Sequence, residues 1–495
     1  MMEYQDFFPD EVQKKLIELF PICHLHIRGI AGSGKTRIAI AKYQYLLQQG
    51  ILEANILFLT YNNVLANYVN SFLGKEIAKT YHKLIRPYLY PNCSIHVLSN
   101  ENERLQFISR AINFCQQDGK IPFCKKNDEA FFFSEFDFIN DFGLSKEKYL
   151  DKNTKRCGRP RILSENRNIC FKIYETYNEI KEKSGYQYDW SETAKVAYEK
   201  LSQGIIKPDK KYDFIIIDEA QDFSLSMLKS LSCFLSNPRK GFILFSDSAQ
   251  QVYGKRISFK SLNMGKFYRP KRLMINYRNS QCIRQFAQTI TKTKRWSGSG
   301  KEVDQVKDYS RVPIGEKPVY IRLSSEKTIW QLLQFVKMMR IIDPPAKIGI
   351  GTYLKKQDPK FSEVLDVERL YSSLKSNGEE VQNLKIYGNG FDSSRPISVG
   401  TFHSMKGLEF DYVIMIIPDN KVIVQYTTDS DVIREKEENF TNLSYMVSTR
   451  AKKQLYMFWQ SDGEDVIPDA FSCTQGYKWI EFDDIFNILF KKKDE

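Results

Sequence analysis

The segment that most constrains the fold of this chain is the octapeptide GIAGSGKT at residues 29–36. It fits the pattern G-x-x-x-x-G-K-[ST], with a short apolar run, CHLHIR, before it and the helix-forming sequence RIAIAKYQYLLQQ after it. In such a unit, glycines let backbone N–H groups curl around phosphate oxygens, and the helix directs its positive N-terminus at them. The pattern therefore predicts a phosphate-binding loop within an α/β fold.

The side chains of this loop have the chemistry that a nucleotide and its magnesium ion require. Lys35 would neutralise the β- and γ-phosphates of ATP, and the Thr36 hydroxyl is a suitable ligand for Mg²⁺. Backbone contacts to the phosphates would come from the other loop positions, which are Gly29, Gly32, Ser33 and Gly34. ATP and Mg²⁺ are therefore the expected cofactors.

A second motif, FIIIDEAQD at 214–222, would complete the same reaction. Its apolar strand ends in two carboxylates, Asp218 and Glu219. Asp218 can hold Mg²⁺ through water, and Glu219 can accept a proton from the attacking water. An acidic pair after a strand is a weak signal by itself, but together with the phosphate loop it predicts a site of ATP hydrolysis with Thr36 and Asp218 as the metal side chains.

Short apolar runs that end in polar residues recur along the chain. Beside the two runs already named they are NILFLT at 55–60, GFILFSD at 241–247, KIGIGTY at 347–353 and DYVIMIIP at 411–418. Mixed-charge helical stretches separate several of them. This alternation predicts α/β architecture with parallel sheets.

The length of the chain, 495 residues, predicts two to four domains. The interval between the run at 55–60 and the run FIIID is far longer than one helix and a turn require, and the middle of this interval is mostly helical. We expect a first domain of residues 1–85 plus 206–270, a helical insertion at 86–205, a second domain at 271–470 and a C-terminal tail at 471–495.

Composition bounds the environment and the partners of the chain. Lys and Arg outnumber Asp and Glu by 73 to 60, and the formal net charge of +13 favours a polyanionic partner or an anionic membrane surface. Because the chain has no apolar run of 18 residues and no secretory pattern at its N-terminus, we expect neither a membrane span nor secretion. The nine cysteines are scattered without a CxxC pair, which fits free thiols in a reducing cytoplasm.

Further motifs follow in a fixed order: LTYNNVLANY at 59–68, FSDSAQQVYG at 245–254, LMINYRNS at 273–280, VGTFHSMKGLEFDYVI at 399–414 and LSYMVSTRAKKQLY at 443–456. With the two nucleotide motifs, they resemble those of the UvrD/Rep-like branch of superfamily 1 helicases. The resemblance covers nearly the whole chain apart from the inserted middle and the C-terminal tail. It implies two RecA-like domains that hydrolyse ATP in the cleft between them.

The resemblance assigns roles around the nucleotide base and sugar. It implies that Gln13 reads the adenine edge and that Arg37 lies beside the base. Tyr277 would stack on the adenine, and Glu409 would lie near the ribose.

The resemblance also assigns the groups that act on the γ-phosphate. Gln250 would sense this phosphate, and Arg278 and Arg450 would be arginine fingers. Both arginines come after residue 270, whereas the phosphate loop and the acidic pair precede it. Guanidinium groups delivered from a second domain stabilise the developing charge only when the domains close, so hydrolysis would be tied to cleft closure.

The nucleic-acid contacts that the resemblance implies come from three motif regions. They are Tyr61, Asn63, Tyr253, Lys255, Arg256, Thr401 and His403. Aromatic side chains suit such a surface because every base has a π-face. Lys255 stands where relatives usually have a stacking aromatic residue, so one base platform would be either weakened or replaced by a phosphate contact. Taken singly, the tyrosines and His403 fit a core position equally well.

We therefore expect an ATP-driven translocase or helicase on single-stranded DNA, and the family branch implies 3′ to 5′ movement. The interval between Arg278 and Thr401 leaves little room for the large accessory subdomain that relatives insert there, which puts unaided duplex unwinding in question. A nucleic-acid-sensing switch that acts with a partner nuclease or effector, for example in phage defence, is the alternative. RNA in place of DNA stays open, whereas a metabolic kinase would leave the later motifs unexplained.

Overall fold

In the computed structural model the chain forms two parallel β-sheets with helices on both faces. The structure describes residues 8–90, 96–117, 129–156, 162, 164–247, 262, 265–270, 272–292, 313–323, 328–353, 366–384, 392, 394–418, 420–423, 430–460, 471, 476–482 and 484–485.

The helices of the described residues are α1 (Glu11–Glu18), α2 (Lys35–Gln48), α3 (Asn63–Leu73), α4 (Tyr81–Leu89), α5 (Glu101–Gln117), α6 (Glu129–Phe142), α7 (Lys146–Leu150), α8 (Ser164–Lys183), α9 (Thr193–Ser202), α10 (Leu225–Ser232), α11 (Gln281–Lys292), α12 (Thr328–Ile342), α13 (Val367–Ser376), α14 (Asn420–Ile423) and α15 (Ser430–Ser448). The strands are β1 (His24–Arg28), β2 (Ile56–Thr60), β3 (Ala78–Thr80), β4 (Val97–Leu98), β5 (Tyr188–Asp189), β6 (Phe214–Ile217), β7 (Phe242–Ser246), β8 (Phe267–Tyr268), β9 (Val319–Leu323), β10 (Ile348–Thr352), β11 (Val381–Asn383), β12 (Ile397–Thr401), β13 (Phe410–Ile417), β14 (Ala451–Gln460) and β15 (Lys478–Glu481).

The first sheet has the strand order β3-β2-β6-β7-β1-β8, and its pairings are parallel. Its central strands are buried on both faces, as their continuous apolar runs predict. One face packs against α1, α2 and α3, and the other packs against α4, α9 and α10. Because parallel strands bring their carboxyl ends to one edge, the phosphate loop after β1 and the acidic pair after β6 lie at the same edge.

A mainly helical body lies between α4 and β6 in the chain. Its core is aromatic and includes the fully buried rings of Phe132, Phe136 and Tyr177. A buried guanidinium, Arg104, bonds to Asp189 at 2.7 Å and also to a carboxylate of α6, which ties α5 to β5 and α6. Helices α6 and α9 pack against α10, so this body is fixed to the first sheet.

The second sheet has the order β11-β12-β10-β13-β14-β9-β15 and is also parallel. Apolar clusters fill both of its faces. The segment 471–495, expected as a tail, supplies β15 at the sheet edge, where Trp479 stacks on Tyr320 of β9 with ring centroids 5.8 Å apart. The pairing of β15 with β9 therefore adds residues after 470 to the second sheet.

The two sheets confirm the predicted fold class, which is two RecA-like parallel-sheet domains with a mainly helical insertion in the first. None of the helices within the described ranges has both the length and the apolar character that are needed to cross a membrane.

Candidate active site

The phosphate loop depends on two glycines in the left-handed conformation and on hydrogen bonds from its own lysine. Gly32 and Gly34 have φ of 72° and 79°, a conformation that glycine adopts without steric cost. Lys35 Nζ donates to the carbonyls of Gly29 at 3.0 Å and Ile30 at 2.9 Å, and it pairs with Asp247 Oδ2 at 3.4 Å. The ammonium is therefore fixed inside the loop, beside a carboxylate that follows β7.

The two predicted metal side chains adjoin. The Thr36 hydroxyl, in the first turn of α2, donates to Asp218 Oδ2 at 2.6 Å. Burial, then the charge of Glu219, raises the pKa of Asp218 to about 7, and the nearby Lys35 offsets this shift only in part.

Hard oxygen donors in this arrangement fit Mg²⁺, which proteins usually bind through one or two carboxylates together with substrate phosphates. Among the described residues, no group of three or more His, Cys, Asp or Glu side chains is placed to hold a metal ion.

Glu219 has an unusual backbone and an ionised side chain. Its φ of 54° places it in the left-handed region, and among the described residues it is the sole non-glycine there. Burial acts to raise the pKa of Glu219, but Lys406, Lys35 and Arg450 outweigh it and lower the pKa. The carboxylate also accepts a hydrogen bond from Gln221 Nε2. It is thus an oriented anion next to the phosphate loop.

Lys406, which lies between β12 and β13 of the second sheet, reaches these acidic residues of the first. Its Nζ pairs with the buried carboxylate of Asp222 and lies 4.0 Å from Glu219 Oε2. Its backbone carbonyl accepts a bond from Asn62 Nδ2 at 3.4 Å. These contacts join the two lobes at the carboxyl edge of the first sheet.

The two predicted arginine fingers lie in this same cleft. Arg450 is 2% exposed, and burial followed by the charge of Arg278 lowers its pKa to about 10. Arg278 Nε donates to Glu409 Oε1 at 2.9 Å, and Glu409 also pairs with Lys452. Burial acts to raise the pKa of Glu409, but Arg278 and Lys452 lower it to about 2. Two neighbouring guanidinium groups make this part of the cleft suited to an additional anion.

The residues expected around the adenine lie on α1, on α2 and in the segment after β8, next to the phosphate loop. Gln13 forms a capping box with Asp10 at the start of α1, and its Nε2 donates to Ser33 O at 3.2 Å. The Tyr277 hydroxyl donates to the Asp10 carboxylate, and the ring is 43% exposed. Arg37 is exposed on α2. Gln13 therefore has a structural task in α1 in addition to any contact with a base.

The predicted nucleic-acid residues that the structure describes follow strand ends. Tyr61 comes after β2 and packs edge-on against Phe223 at 6.4 Å, and Asn63 is exposed at the start of α3. Thr401 ends β12, and burial followed by Lys406 lowers the pKa of His403 to about 4. Gln250, Tyr253, Lys255 and Arg256 lie outside the described residues.

Sequence reasoning missed one exposed aromatic pair at this edge. Trp190, half-exposed after β5, stacks on His82 with ring centroids 4.1 Å apart and an angle of 25°. His82 follows β3 in the wording Thr-Tyr-His, which repeats the Thr-Phe-His after β12. That repetition is the signal that could have identified it.

The phosphate loop and the two lobes that meet around it define a RecA-like P-loop protein. The chain belongs to the UvrD/REP helicase family: residues 10–266 match the UvrD/REP helicase N-terminal domain, and residues 373–462 match the UvrD-like helicase C-terminal domain.

Two curated relatives are named ATP-dependent DNA helicase Rep. The protein of Buchnera aphidicola subsp. Baizongia pistaciae is 26% identical over 302 residues, which are 57% of this chain and 42% of that protein. The protein of Buchnera aphidicola subsp. Schizaphis graminum is 24% identical over 251 residues, 49% of this chain and 37% of that protein. The chain thus spans less than half the length of these relatives.

A solved C-terminal domain of a possible DNA helicase from Lactobacillus plantarum WCFS1 aligns with 41% of this chain and 99% of its own, at 17% identity. Its TM-score of 0.27 is too low to support a conclusion about the fold.

Proposed function

We propose that this chain is an ATP-driven motor of the UvrD/Rep type that moves along single-stranded DNA in the 3′ to 5′ direction. The observation that carries the proposal is the meeting of two sets of side chains in one cleft. The first sheet contributes Lys35, Thr36, Asp218 and Glu219, and the second lobe contributes Lys406 and Arg450, with Arg278 from the connection between the lobes.

The first lobe has the groups that bind the nucleotide and activate water. Lys35 would exchange its bonds to loop carbonyls for bonds to the β- and γ-phosphates. Mg²⁺, held by Thr36 and Asp218, would neutralise charge on these phosphates. Glu219, kept ionised by the surrounding cations, is suited to orient the attacking water and accept its proton.

The second lobe and the connection between the lobes have the positive charges that the transition state requires. Arg450 is buried beside the carboxylates, and Arg278 is bound to Glu409. The anionic γ-phosphate would compete with Glu409 for Arg278 and draw the lobes together. ATP binding and hydrolysis would then close and open the cleft, which is the stroke of a motor.

The carboxyl edge of both sheets is suited to a single strand. Tyr61 and the Trp190–His82 pair come from the first lobe, whereas Thr401 and His403 come from the second. Stacking on aromatic rings tolerates any base, and the net charge of +13 favours a polyanion. The choice of DNA over RNA rests on the names of the two relatives.

ATP turnover and directional movement test this proposal. The ATPase rate should rise with oligo(dT) more than with an RNA oligonucleotide or a blunt duplex, and Lys35→Ala should abolish it. Movement from 3′ to 5′ should displace streptavidin from a 5′-biotinylated oligonucleotide and not from a 3′-biotinylated one. An ATPase rate that no nucleic acid changes would contradict the proposed motor. Displacement of streptavidin from the 3′ end alone would show movement in the opposite direction, from 5′ to 3′.

A further inference from the structure

We propose that Asn276 and Asn279 form a clasp that ties the phosphate loop to the backbone on both sides of Arg450, and so positions the arginine fingers. This inference rests on the proposed function, since it concerns how the two lobes transmit closure to the ATP site. Neither asparagine was predicted to be functional from the sequence. Both are buried, at 1% and 0% exposure.

The first part of the clasp is a turn closed by the Asn276 side chain. Its Oδ1 accepts hydrogen bonds from the backbone N–H of Arg278 at 2.8 Å and of Asn279 at 3.0 Å. Its Nδ2 donates to Asn279 Oδ1 at 2.9 Å. Asn276 therefore fixes the backbone at Arg278 and the side chain of Asn279 together.

The second part is the contact of this turn with the phosphate loop. The N–H of Tyr277 donates to the carbonyl of Gly32 at 2.9 Å. A Cβ on Gly32 would lie 2.4 Å from Asn276 Oδ1, so the turn is packed directly on the loop backbone. A neighbouring bridge between Gly29 and Leu273 extends the same contact. These contacts thus bind the turn to the first lobe.

The third part reaches the second lobe. Asn279 Nδ2 donates to the carbonyls of Thr449 at 3.0 Å and Ala451 at 2.6 Å. These carbonyls directly precede and follow Arg450 in the chain. Arg278 Nη1 also approaches the Thr449 carbonyl, at 3.4 Å. The buried amide group of Asn279 therefore binds the backbone on both sides of Arg450. Arg278, the other finger, directly precedes Asn279 in the chain.

This arrangement makes Asn276 and Asn279 positioning residues rather than catalytic residues. No bond to the phosphate-binding groups of the loop is lost when the Asn279 side chain is removed, so ATP binding should survive. Because the fingers stabilise the transition state more than bound ATP, their misplacement should lower kcat much more than it changes KM. A purely structural role for the same hydrogen bonds would instead lower stability without this separation.

Two variants and a matched control separate these roles. Asn279→Ala removes both bonds to the second lobe and the acceptor for Asn276 Nδ2, whereas Asn279→Asp keeps this acceptor but loses both donors to the second lobe. Asn70 is the control, since its side chain also makes three hydrogen bonds, here with Ile77 N, Ala78 N and Ala78 O, all inside the first lobe. Asn70→Ala should lower the melting temperature without a selective loss of kcat.

The measurement is kcat and KM for ATP with saturating oligo(dT), together with the melting temperature of each variant. Both Asn279 variants should lose about tenfold or more in kcat, with KM changed by less than about threefold. Wild-type kcat in Asn279→Asp, or an equal kcat loss in Asn70→Ala, would overturn the clasp. If oligo(dT) fails to stimulate the wild-type chain, the proposed motor fails, and the same comparison on basal turnover still decides the clasp. A wild-type chain that does not hydrolyse ATP at all contradicts both.

Discussion

At the scale of single residues, two carboxylates that are neighbours in sequence have opposite surroundings. Asp218 is buried against Thr36, and burial and the charge of Glu219 raise its pKa to about 7 although Lys35 acts in the opposite direction. Glu219 faces Lys406 and Lys35, and its pKa is lowered. The first arrangement is suited to bind a cation, whereas the second keeps a base ionised.

The assignment of Glu219 as the base predicts a specific defect. Glu219→Gln keeps the size of the side chain but cannot accept a proton, so ATP turnover should fall by about 10²-fold or more while ATP still binds. Turnover and equilibrium binding of a fluorescent ATP analogue are the two measurements. The control is Glu53→Gln, which alters an exposed pair with Lys75 in the same lobe. Near-normal turnover in Glu219→Gln would remove the base assignment.

A buried histidine in β1 predicts acid sensitivity of the first lobe. His26 Nε2 lies 2.8 Å from Ser246 Oγ, and burial, then the charge of Arg28, lowers the pKa of His26 from 6.5 to about 3. The unfolded chain takes up a proton near pH 6.5 and the folded chain does not, so stability is full above pH 6.5 and falls as the pH drops below it. The loss from this group is about 2 kcal/mol at pH 5.

Denaturant unfolding at pH 7.5 and pH 5.0 checks this dependence. The stability difference between wild type and His26→Gln should shrink by that amount at the lower pH, because the variant has no group to protonate. His96→Gln, which changes an exposed side chain, is the control. An unchanged difference at the two pH values would contradict the assignment.

At the scale of elements, the strands that the sequence predicted are those with long apolar runs. The runs at 55–60, 214–218 and 411–418 correspond to β2, β6 and β13. The edge strands β3, β11 and β15 were not predicted, because each has only three or four residues, which is too short for a periodic pattern. Strand β9 was not predicted either, and the polar Arg322 interrupts its apolar run.

The strand ends also determine which aromatic residues are presented to a nucleic acid. Trp190 is half-exposed and stacked on His82, so its ring is held in place before any base arrives. Trp190→Ala should weaken binding of a fluorescent oligo(dT) by about 1–3 kcal/mol, as measured by anisotropy. Trp330→Ala is the control, since Trp330 is similarly exposed but lies on α12 of the other lobe. Equal effects of the two substitutions would contradict a stacking site at Trp190.

At the scale of the whole molecule, motif order could predict that two lobes share one site but not how they touch. The resemblance implies that Glu409 lies near the ribose, and the structure adds its ion pairs with Arg278 and Lys452. Lys406, from the motif at 399–414, pairs with Asp222 of the first lobe. Such partners depend on the docking of one lobe on the other, and no local pattern records that docking. For the same reason the clasp of Asn276 and Asn279 became visible only in three dimensions.

The central claim is that turnover is completed by guanidinium groups that meet the carboxylates of the first lobe across the cleft. The most direct measurement is kcat for ATP with saturating oligo(dT) in Arg450→Ala and Arg278→Ala, with Arg395→Ala, which alters an exposed surface pair, as the control. The account predicts that each finger variant loses on the order of 10³-fold in kcat and still binds ATP, while the control is unaffected. Wild-type turnover in either finger variant would contradict it.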